Sequence, residues 1–218
     1  MIQIALHIPV WKRLELTRAC YEGLKRNIRE FEALGYELTP YIAYSEDEHK
    51  ALAEEYGWIH TYSKNDHLGN KNQRLYEFMK GFEWDWFLQL GSDDFLLPGG
   101  AEAICNSMKE TEFAGFNHLY FFQRETRKGT YLAGYPCGAG RYMSRRICNK
   151  VKLMWNNRDK GCDQFSTGRV YQHTGLRRKH IAGCFIADVK TEVGVTPYFQ
   201  ATPEVFEMDS IIPEAHLI

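Results

Sequence analysis

The chain has no apolar run approaching the ~18 to 20 residues of a membrane-spanning helix, and its start, Ile2-Gln3-Ile4-Ala5-Leu6, lacks a basic leader and a small-residue cleavage site. These absences argue against a helical membrane anchor and give the expectation of a cytoplasmic location. No Cys-x-x-Cys pair occurs among Cys20, Cys105, Cys137, Cys148, Cys162 and Cys184, so neither a zinc knuckle nor a thioredoxin-type motif is indicated. At 218 residues and 44% apolar content the chain can bury an ordinary core without disulfides, and its cysteines are expected mostly as small buried hydrophobes. Repeats, low-complexity segments and a recognisable linker are also missing, which predicts a single domain over residues 1–218.

Net charge is almost absent too, at −1, but the balance is uneven along the chain. Residues 1–110 carry 12 basic against 18 acidic side chains, residues 111–190 carry 15 against 5, and the last 28 carry none against 5. A basic middle between acidic ends suits a phosphate-bearing leaving group or an anionic acceptor; a solvated basic face is the plainer alternative.

Hydrophobic periodicity alternates in the first half. Ile2 to Val10 reads as a strand; Leu16, Cys20, Leu24, Ile28 and Phe31 recur at helical spacing up to a stop at Gly35. Leu38 to Tyr44 and Trp58 to Tyr62 read as further strands separated by a short helix, and Leu75, Phe78, Met79 and Phe82 mark another helix. This order implies an α/β fold with a mostly parallel, Rossmann-like sheet, helices on both faces, and a smaller mixed second half. In that second half a helix with Met143, Ile147 and Val151 on one face, a helix opened by Asp163, and a strand from Ile181 to Ala187 are expected.

The strongest local signal is Trp84-Asp85-Trp86-Phe87-Leu88-Gln89-Leu90, a strand-like run that enters Gly91-Ser92-Asp93-Asp94. Adjacent carboxylates at a strand's carboxyl end are costly to ionise together unless a cation lies between them and an anionic partner. Hard oxygen ligands of this kind favour Mn²⁺ or Mg²⁺ with a nucleotide phosphate. A helix-capping turn is the alternative.

In the order and content of these motifs the chain resembles a small GT-A-fold glycosyltransferase of the inverting family-2 type. The resemblance rests on Ile8-Pro9-Val10-Trp11 after the first strand and a carboxylate cluster, Ser45-Glu46-Asp47-Glu48, after the second. It also rests on Gly69-Asn70-Lys71-Asn72-Gln73-Arg74-Leu75 opening a helix, Leu90-Gly91-Ser92-Asp93-Asp94 in the place of a D-x-D variant, and Gly161-Cys162-Asp163-Gln164-Phe165, 69 residues beyond Asp94, in the place of the base motif. It covers residues 1–175 approximately. Two departures stand out: Gly91 where the family commonly has an acid, and Cys162 where it usually has Glu.

The resemblance implies a nucleotide-sugar-binding half (1–100), an acceptor-binding half (101–190) and an acidic C-terminal tail (191–218). It implies Asp94 as the principal metal ligand with Asp93 beside it, Pro9 lining the base, and Glu46 or Asp47 reaching base or ribose. Asp163 is the expected general base, with Asp159 as its competitor and a helix N-cap as the alternative role. Lys71 and Arg74 are candidates to face the nucleotide, and His180 is a candidate third metal or phosphate contact. Arg141, Arg145 and Arg146, or Arg177-Arg178-Lys179-His180, are candidates to hold the diphosphate or an anionic acceptor, with Asp188 and Lys190 bordering the acceptor pocket.

The implied activity is inverting transfer of a hexosyl-type sugar from a nucleoside-diphosphate sugar to an acceptor hydroxyl on a saccharide, a lipid-linked molecule or a modified nucleic acid. Two other readings remain: a nucleic-acid-binding module using the basic middle with Tyr120, Phe121, Phe122, Tyr131, Tyr135 and Tyr142 as stacking groups, and a GT-A-like protein without activity.

Overall fold

The computed structural model describes residues 1–134, 136–191 and 204–218. In chain order the elements are β1 (Ile2–Pro9), α1 (Leu14–Ala33), β2 (Tyr36–Tyr44), α2 (Asp47–Glu55), β3 (Ile59–Tyr62), α3 (Leu68–Met79), β4 (Trp86–Gln89), β5 (Asp94–Leu96), α4 (Gly100–Met108) and β6 (Phe113–Phe116). There follow β7 (Leu119–Gln123), β8 (Lys128–Leu132), β9 (Arg141–Ser144), α5 (Arg145–Lys150), α6 (Cys162–Thr174), β10 (Lys179–Ile181), β11 (Ile186–Lys190), β12 (Val205–Glu207), α7 (Met208–Ile211) and a 3-10 turn at Ala215–Leu217.

The strands form two sheets. The larger has the order β10-β6-β9-β4-β1-β2-β3, with β1 to β4 mutually parallel and β9 antiparallel between β4 and β6. The smaller has the order β12-β8-β7-β11-β5. The expected α/β class and mostly parallel central sheet are therefore present.

β1 explains the layering. Its side chains alternate, so Ile4, Leu6 and Ile8 face one side and pack with Tyr21, Leu24 and Phe31 of α1, while Ala5 belongs to a second core with Tyr76 and Met79 of α3. Each fully buried side chain of this size contributes roughly 1.5–3 kcal/mol relative to exposure. A third core joins Leu16 and Cys20 of α1 to Phe95 of β5, Phe122, Val189, Met208 and Ile212. It fixes the smaller sheet beneath the first helix.

Two expectations change. The run from Ile181 to Ala187 is not one strand: β10 and β11 lie in different sheets, and the chain turns between them at Gly183, whose φ of 93° is left-handed. Arg141 to Ser144 is a buried strand, and the helix starts only at Arg145, where Ser144 Oγ accepts from the Ile147 N–H. The acidic C-terminal segment is anchored to the body of the fold over its last residues. Residues 205–218 fold back: Arg127 ion-pairs with Asp209 and donates to the carbonyls of Ala215 and Ile218, and Arg26 pairs with Glu214 at 2.7 Å. Residues 192–203 of that segment lie outside the described residues. Five of the cysteines are buried free thiols and Cys184 is half-buried, as their spacing implied.

His7, on the α3 side of β1, is fully buried between Phe87 and Trp155 and stacks on the indole at 5.2 Å. Burial pushes its imidazole from 6.5 down to about 4, against a smaller opposing contribution from the hydrogen bond with the Asn72 carbonyl. The unfolded chain thus binds a proton that the native state refuses. Stability is full above pH 6.5 and is lost as pH falls from 6.5 through 4, a loss of about 3 kcal/mol from this group. Urea titrations across that window should show the slope in the wild-type protein and a flatter one in His7→Gln; equal slopes would contradict it.

Candidate active site

The polypeptide leaves the larger sheet at Gln89 and enters the smaller one at Asp94, so the aspartate pair sits on the corner between them. That corner places it against β11. Asp188 is the antiparallel cross-strand partner of Asp94, and the Val189 N–H donates to the Asp93 carbonyl at 2.9 Å. One carboxylate oxygen from each of Asp93, Asp94 and Asp188 can be chosen so that all lie within 4.8 Å of one another.

Three acids in this space repel, and the chain supplies two cations. Lys190 Nζ is 2.7 Å from Asp93 Oδ2 and 2.7 Å from Asp188 Oδ1, and Arg13 Nη1 is 2.8 Å from Asp93 Oδ2. Burial raises Asp93, but Lys190 and Arg13 outweigh it and hold that carboxyl below its ordinary range. Asp94 has no ion-pair partner among the described residues; burial, then Asp188 and Asp93, push it well above the usual carboxylate range. Burial likewise lifts Asp188 to about 6, against the pull of Lys190. Lys190 is raised because the three acids overcome its own burial.

With all three acids ionised, Arg13 and Lys190 leave one negative charge over, and the convergent donors are all carboxylate oxygens. This set fits a divalent cation of the Mg²⁺ or Mn²⁺ kind, with Asp94 and Asp188 as its holders and Asp93 already engaged by Arg13 and Lys190.

Sequence reasoning missed Asp188 as a member of this group and placed it, with Lys190, beside the acceptor. Their alternation, two residues apart on one strand, puts both on the same face, but only the sheet topology shows that this face meets Asp93. Arg13 was missed as well. It and Lys12 both have a φ of 53°, a left-handed pair costing about 1–3 kcal/mol per residue, held by its contact with Asp93 and by His49 Nε2 on the Lys12 carbonyl at 2.9 Å.

Gly91 has a local reason. A Cβ there would stand 2.7 Å from Asp94 Oδ2 and 2.9 Å from Asp93 Oδ1, and the Gly91 N–H donates to Asp94 Oδ2 at 2.5 Å. The glycine lets Asp94 fold back over the corner.

At the carboxyl ends of β1 and β2 the structure brings Val10, Ser45, Glu46 and Lys71 together, and Pro9, the last residue of β1, pairs with Ala43 of β2. Lys71 Nζ donates to the Val10 carbonyl at 2.5 Å and to Ser45 Oγ at 2.9 Å, and Ser45 Oγ donates to Glu46 at 3.0 Å. Burial pulls the Lys71 ammonium down to about 8, with Glu46 opposing. Asp47 opens α2. Arg74 is not brought to this group: its guanidinium is committed to Asp66 at 2.6 Å and to the Lys64 carbonyl at 2.8 Å.

Asp163 is the second residue of α6 and is seated by a buried arginine. Gln89 Nε2 donates to Asp163 Oδ1 at 3.1 Å, and Arg141 Nη2 donates to Gln89 Oε1 at 2.5 Å. Arg141 Nη1 donates to the Asp163 carbonyl at 3.0 Å and to Ser166 and Thr167. Arg141 therefore positions the acid and does not reach into open space. Asp159, the competing acid, is spent elsewhere: its Oδ1 accepts from the Leu68 N–H at 3.0 Å and its Oδ2 meets His67 Nδ1 at 3.0 Å, capping α3. Gly69 in that first turn is packed so closely that a Cβ would lie 1.9 Å from the Asn156 carbonyl oxygen. Cys162, in the place of the expected Glu, is buried and donates to the Arg158 carbonyl.

Cys137 links the two acidic groups. Burial pushes its thiol up to about 12; it also feels Arg178, and then Asp94, Asp163 and Asp188 together. Beside Asp163 opens a cavity of about 510 Å³ bounded by Pro136, Gln164, Thr167, Tyr171, Arg177 and His180, among others. His180 is thus an exposed residue of this cavity, on edge strand β10, and not a member of the carboxylate group.

Part of the basic middle is paired with carboxylates. Arg124 pairs with Glu15, Arg127 with Asp209, Arg145 with Glu83 and Arg146 with Glu112. Arg145 and Arg146 therefore do not serve the site. Phe122 and Tyr142 are fully buried, and Tyr120 packs on Phe206 and Tyr131, so these rings offer no platform for bases. Tyr135 lies outside the described residues.

No family model matches the chain, and no curated protein matches it. Among solved structures, S. aureus TarS 1-349 in complex with UDP superposes with a TM-score of 0.58 at 11% identity, covering 87% of this chain and 61% of that one. The same fragment in complex with UDP-GlcNAc gives 0.56 at 12% identity, covering 89% and 60%. The chain spans about 60% of the length of the TarS fragment. What the likeness establishes is architecture: this chain has the GT-A-type fold of TarS.

Proposed function

We propose that the protein is a metal-dependent glycosyltransferase that moves a sugar from a nucleoside-diphosphate sugar to an acceptor hydroxyl with inversion. The observation that carries this reading is the convergence of Asp93, Asp94 and Asp188 on the sheet corner, together with Asp163 seated by Gln89 and Arg141. The UDP and UDP-GlcNAc held by TarS support a uridine donor for this chain.

In this mechanism Asp163 takes the acceptor hydroxyl proton as the acceptor oxygen bonds to the anomeric carbon. The bond from that carbon to the diphosphate oxygen breaks, and the diphosphate departs with the electron pair. A bound divalent cation would supply Lewis-acid stabilisation of the leaving group at Asp94 and Asp188. Arg13 and Lys190 keep the neighbouring carboxylates from repelling it. Direct attack on the face opposite the leaving group inverts the anomeric centre. Pro9, Glu46 and Asp47 are assigned to the nucleoside end, and Lys71, fully buried, ties the Val10 carbonyl to Ser45 there.

Lys190 competes with a metal for the same acids. Lys190→Met should lower stability by about 3 kcal/mol or more without metal, because it leaves partly buried carboxylates unpaired. Mn²⁺ should then restore it, giving a larger Mn²⁺-induced rise in Tm than in the wild type. Equal Mn²⁺ shifts in the two proteins would separate Lys190 from the cation site.

The activity itself is tested with UDP-, GDP-, CMP- and TDP-sugars and Mn²⁺ or Mg²⁺, reading nucleotide release. Release from one donor that stops on chelation supports the proposal; no metal-dependent release from any member would remove it.

A further inference from the structure

The arginines of the middle segment divide into two kinds. Arg124, Arg127, Arg145 and Arg146 each have a carboxylate partner and Arg141 lies 3.6 Å from Asp163, whereas Arg158, Arg169, Arg177 and Arg178 have none among the described residues; of these four, Arg177 and Arg178 line the cavity beside Asp163. Arg177 is exposed, with its guanidinium 5.8 Å from the Tyr171 ring centroid. Arg178 is anchored: its Nη2 donates to the Phe116 carbonyl at 2.5 Å, and Gly115 leaves room for the guanidinium, since a Cβ there would lie 2.4 Å from it. His180 completes the basic wall.

The other walls differ in chemistry. Tyr171, 51% exposed, and Leu176, 36% exposed, give an aromatic and aliphatic face, and Gln164 and Thr167 give neutral hydrogen-bonding groups. Among the described residues Asp163 is the one acid of the cavity lining, and Gln89 holds it in place. A neutral sugar would satisfy the ring face and the amide but leave the arginines without a counter-charge. Guanidinium forks match phosphate oxygens in pairs.

Resting on the glycosyl-transfer reading, we propose that the acceptor is an anionic polyhydroxy compound, a phosphorylated sugar or polyol. Its ring or chain lies on Tyr171, its phosphate is held by Arg177 and His180, and its reacting hydroxyl points at Asp163. Arg178 contributes positive potential from behind. The cavity, at about 510 Å³, accommodates one such unit.

The probes are glucose 6-phosphate and glucose, titrated by saturation-transfer NMR with and without UDP and Mn²⁺. The wild-type protein should bind glucose 6-phosphate at least about 10-fold more tightly than glucose, as expected for one charge-assisted contact. Arg177→Gln should erase that preference, Arg177→Lys should retain part of it, and UDP affinity should stay within about two-fold, equivalent to about 0.4 kcal/mol. Equal binding of the two sugars, or an unchanged preference in Arg177→Gln, overturns the proposal. So does a loss of UDP affinity in that variant, which would assign the arginine to the donor diphosphate. Failure of the transferase reading is separable: it shows as absent Mn²⁺-dependent UDP binding, whatever the sugar titrations give.

Discussion

Asp94→Asn is expected to weaken Mn²⁺ binding on the order of 100-fold or more, read as free Mn²⁺ by electron paramagnetic resonance. Asp188→Asn should have an effect of the same order. Both follow from the group in which Asp93, already bridged by Arg13 and Lys190, has little capacity left for a metal. The variants carry an internal control for folding. Burial and like charges hold Asp94 well above the ordinary carboxylate range, so its ionised form costs the native state stability at neutral pH. Removing that charge should leave the Tm of the metal-free protein unchanged or raise it. A lowered Tm with unchanged Mn²⁺ affinity would mean that Asp94 is a structural acid. Unchanged affinity in Asp188→Asn alone would return Asp188 to the acceptor side.

The second large effect concerns Asp163→Asn. A general base contributes about 10²–10⁴ in rate, equivalent to about 3–5 kcal/mol of barrier. The asparagine keeps the hydrogen bond from Gln89 available at Oδ1 and so preserves the seat, while removing the proton acceptor. The variant should lose turnover by that factor and keep nucleotide binding. Because Arg141 is fully buried and acts through Gln89, Gln89→Leu should also reduce turnover while UDP binding is kept. Undiminished turnover in Asp163→Asn would assign the proton to another group.

How much of this was legible beforehand depends on the range of the interactions. Local patterns decide β1, α1 and β2, because the alternation of Ile4, Leu6 and Ile8 and the four-residue spacing of Leu16, Cys20 and Leu24 each encode one buried face. The Asp93-Asp94 corner is legible for the same reason: an apolar run stops where polar residues begin. What could not be read is every feature that needs a second sheet. Asp94 begins β5 in a different sheet from β4, and Asp188 reaches it only through an antiparallel pairing across 94 residues of sequence. Ile181 to Ala187 looks continuous because both of its parts are buried; the change of sheet depends on which partner strands are near.

Asp159 and Asp163 illustrate the same limit at a single loop. Both are acids near a helix start, and composition does not separate them. The difference is tertiary: Asp159 answers the unpaired N–H groups of α3, and Asp163 answers Gln89 and Arg141 on neighbouring strands. The basic middle shows the converse. As a string it is a patch, yet Arg124, Arg127 and Arg145 meet carboxylates brought from other parts of the chain, and Arg146 meets Glu112 within the segment itself.

The central claim is that the carboxylate corner is a metal-dependent nucleotide site. Calorimetric titration of UDP into the wild-type protein and an Asp94→Asn/Asp188→Asn double variant, each with Mn²⁺ and with chelator, tests it most directly. The account predicts binding in the wild type with Mn²⁺ alone and none in the other three titrations. Equal binding of UDP by both proteins, unaffected by chelation, would contradict it.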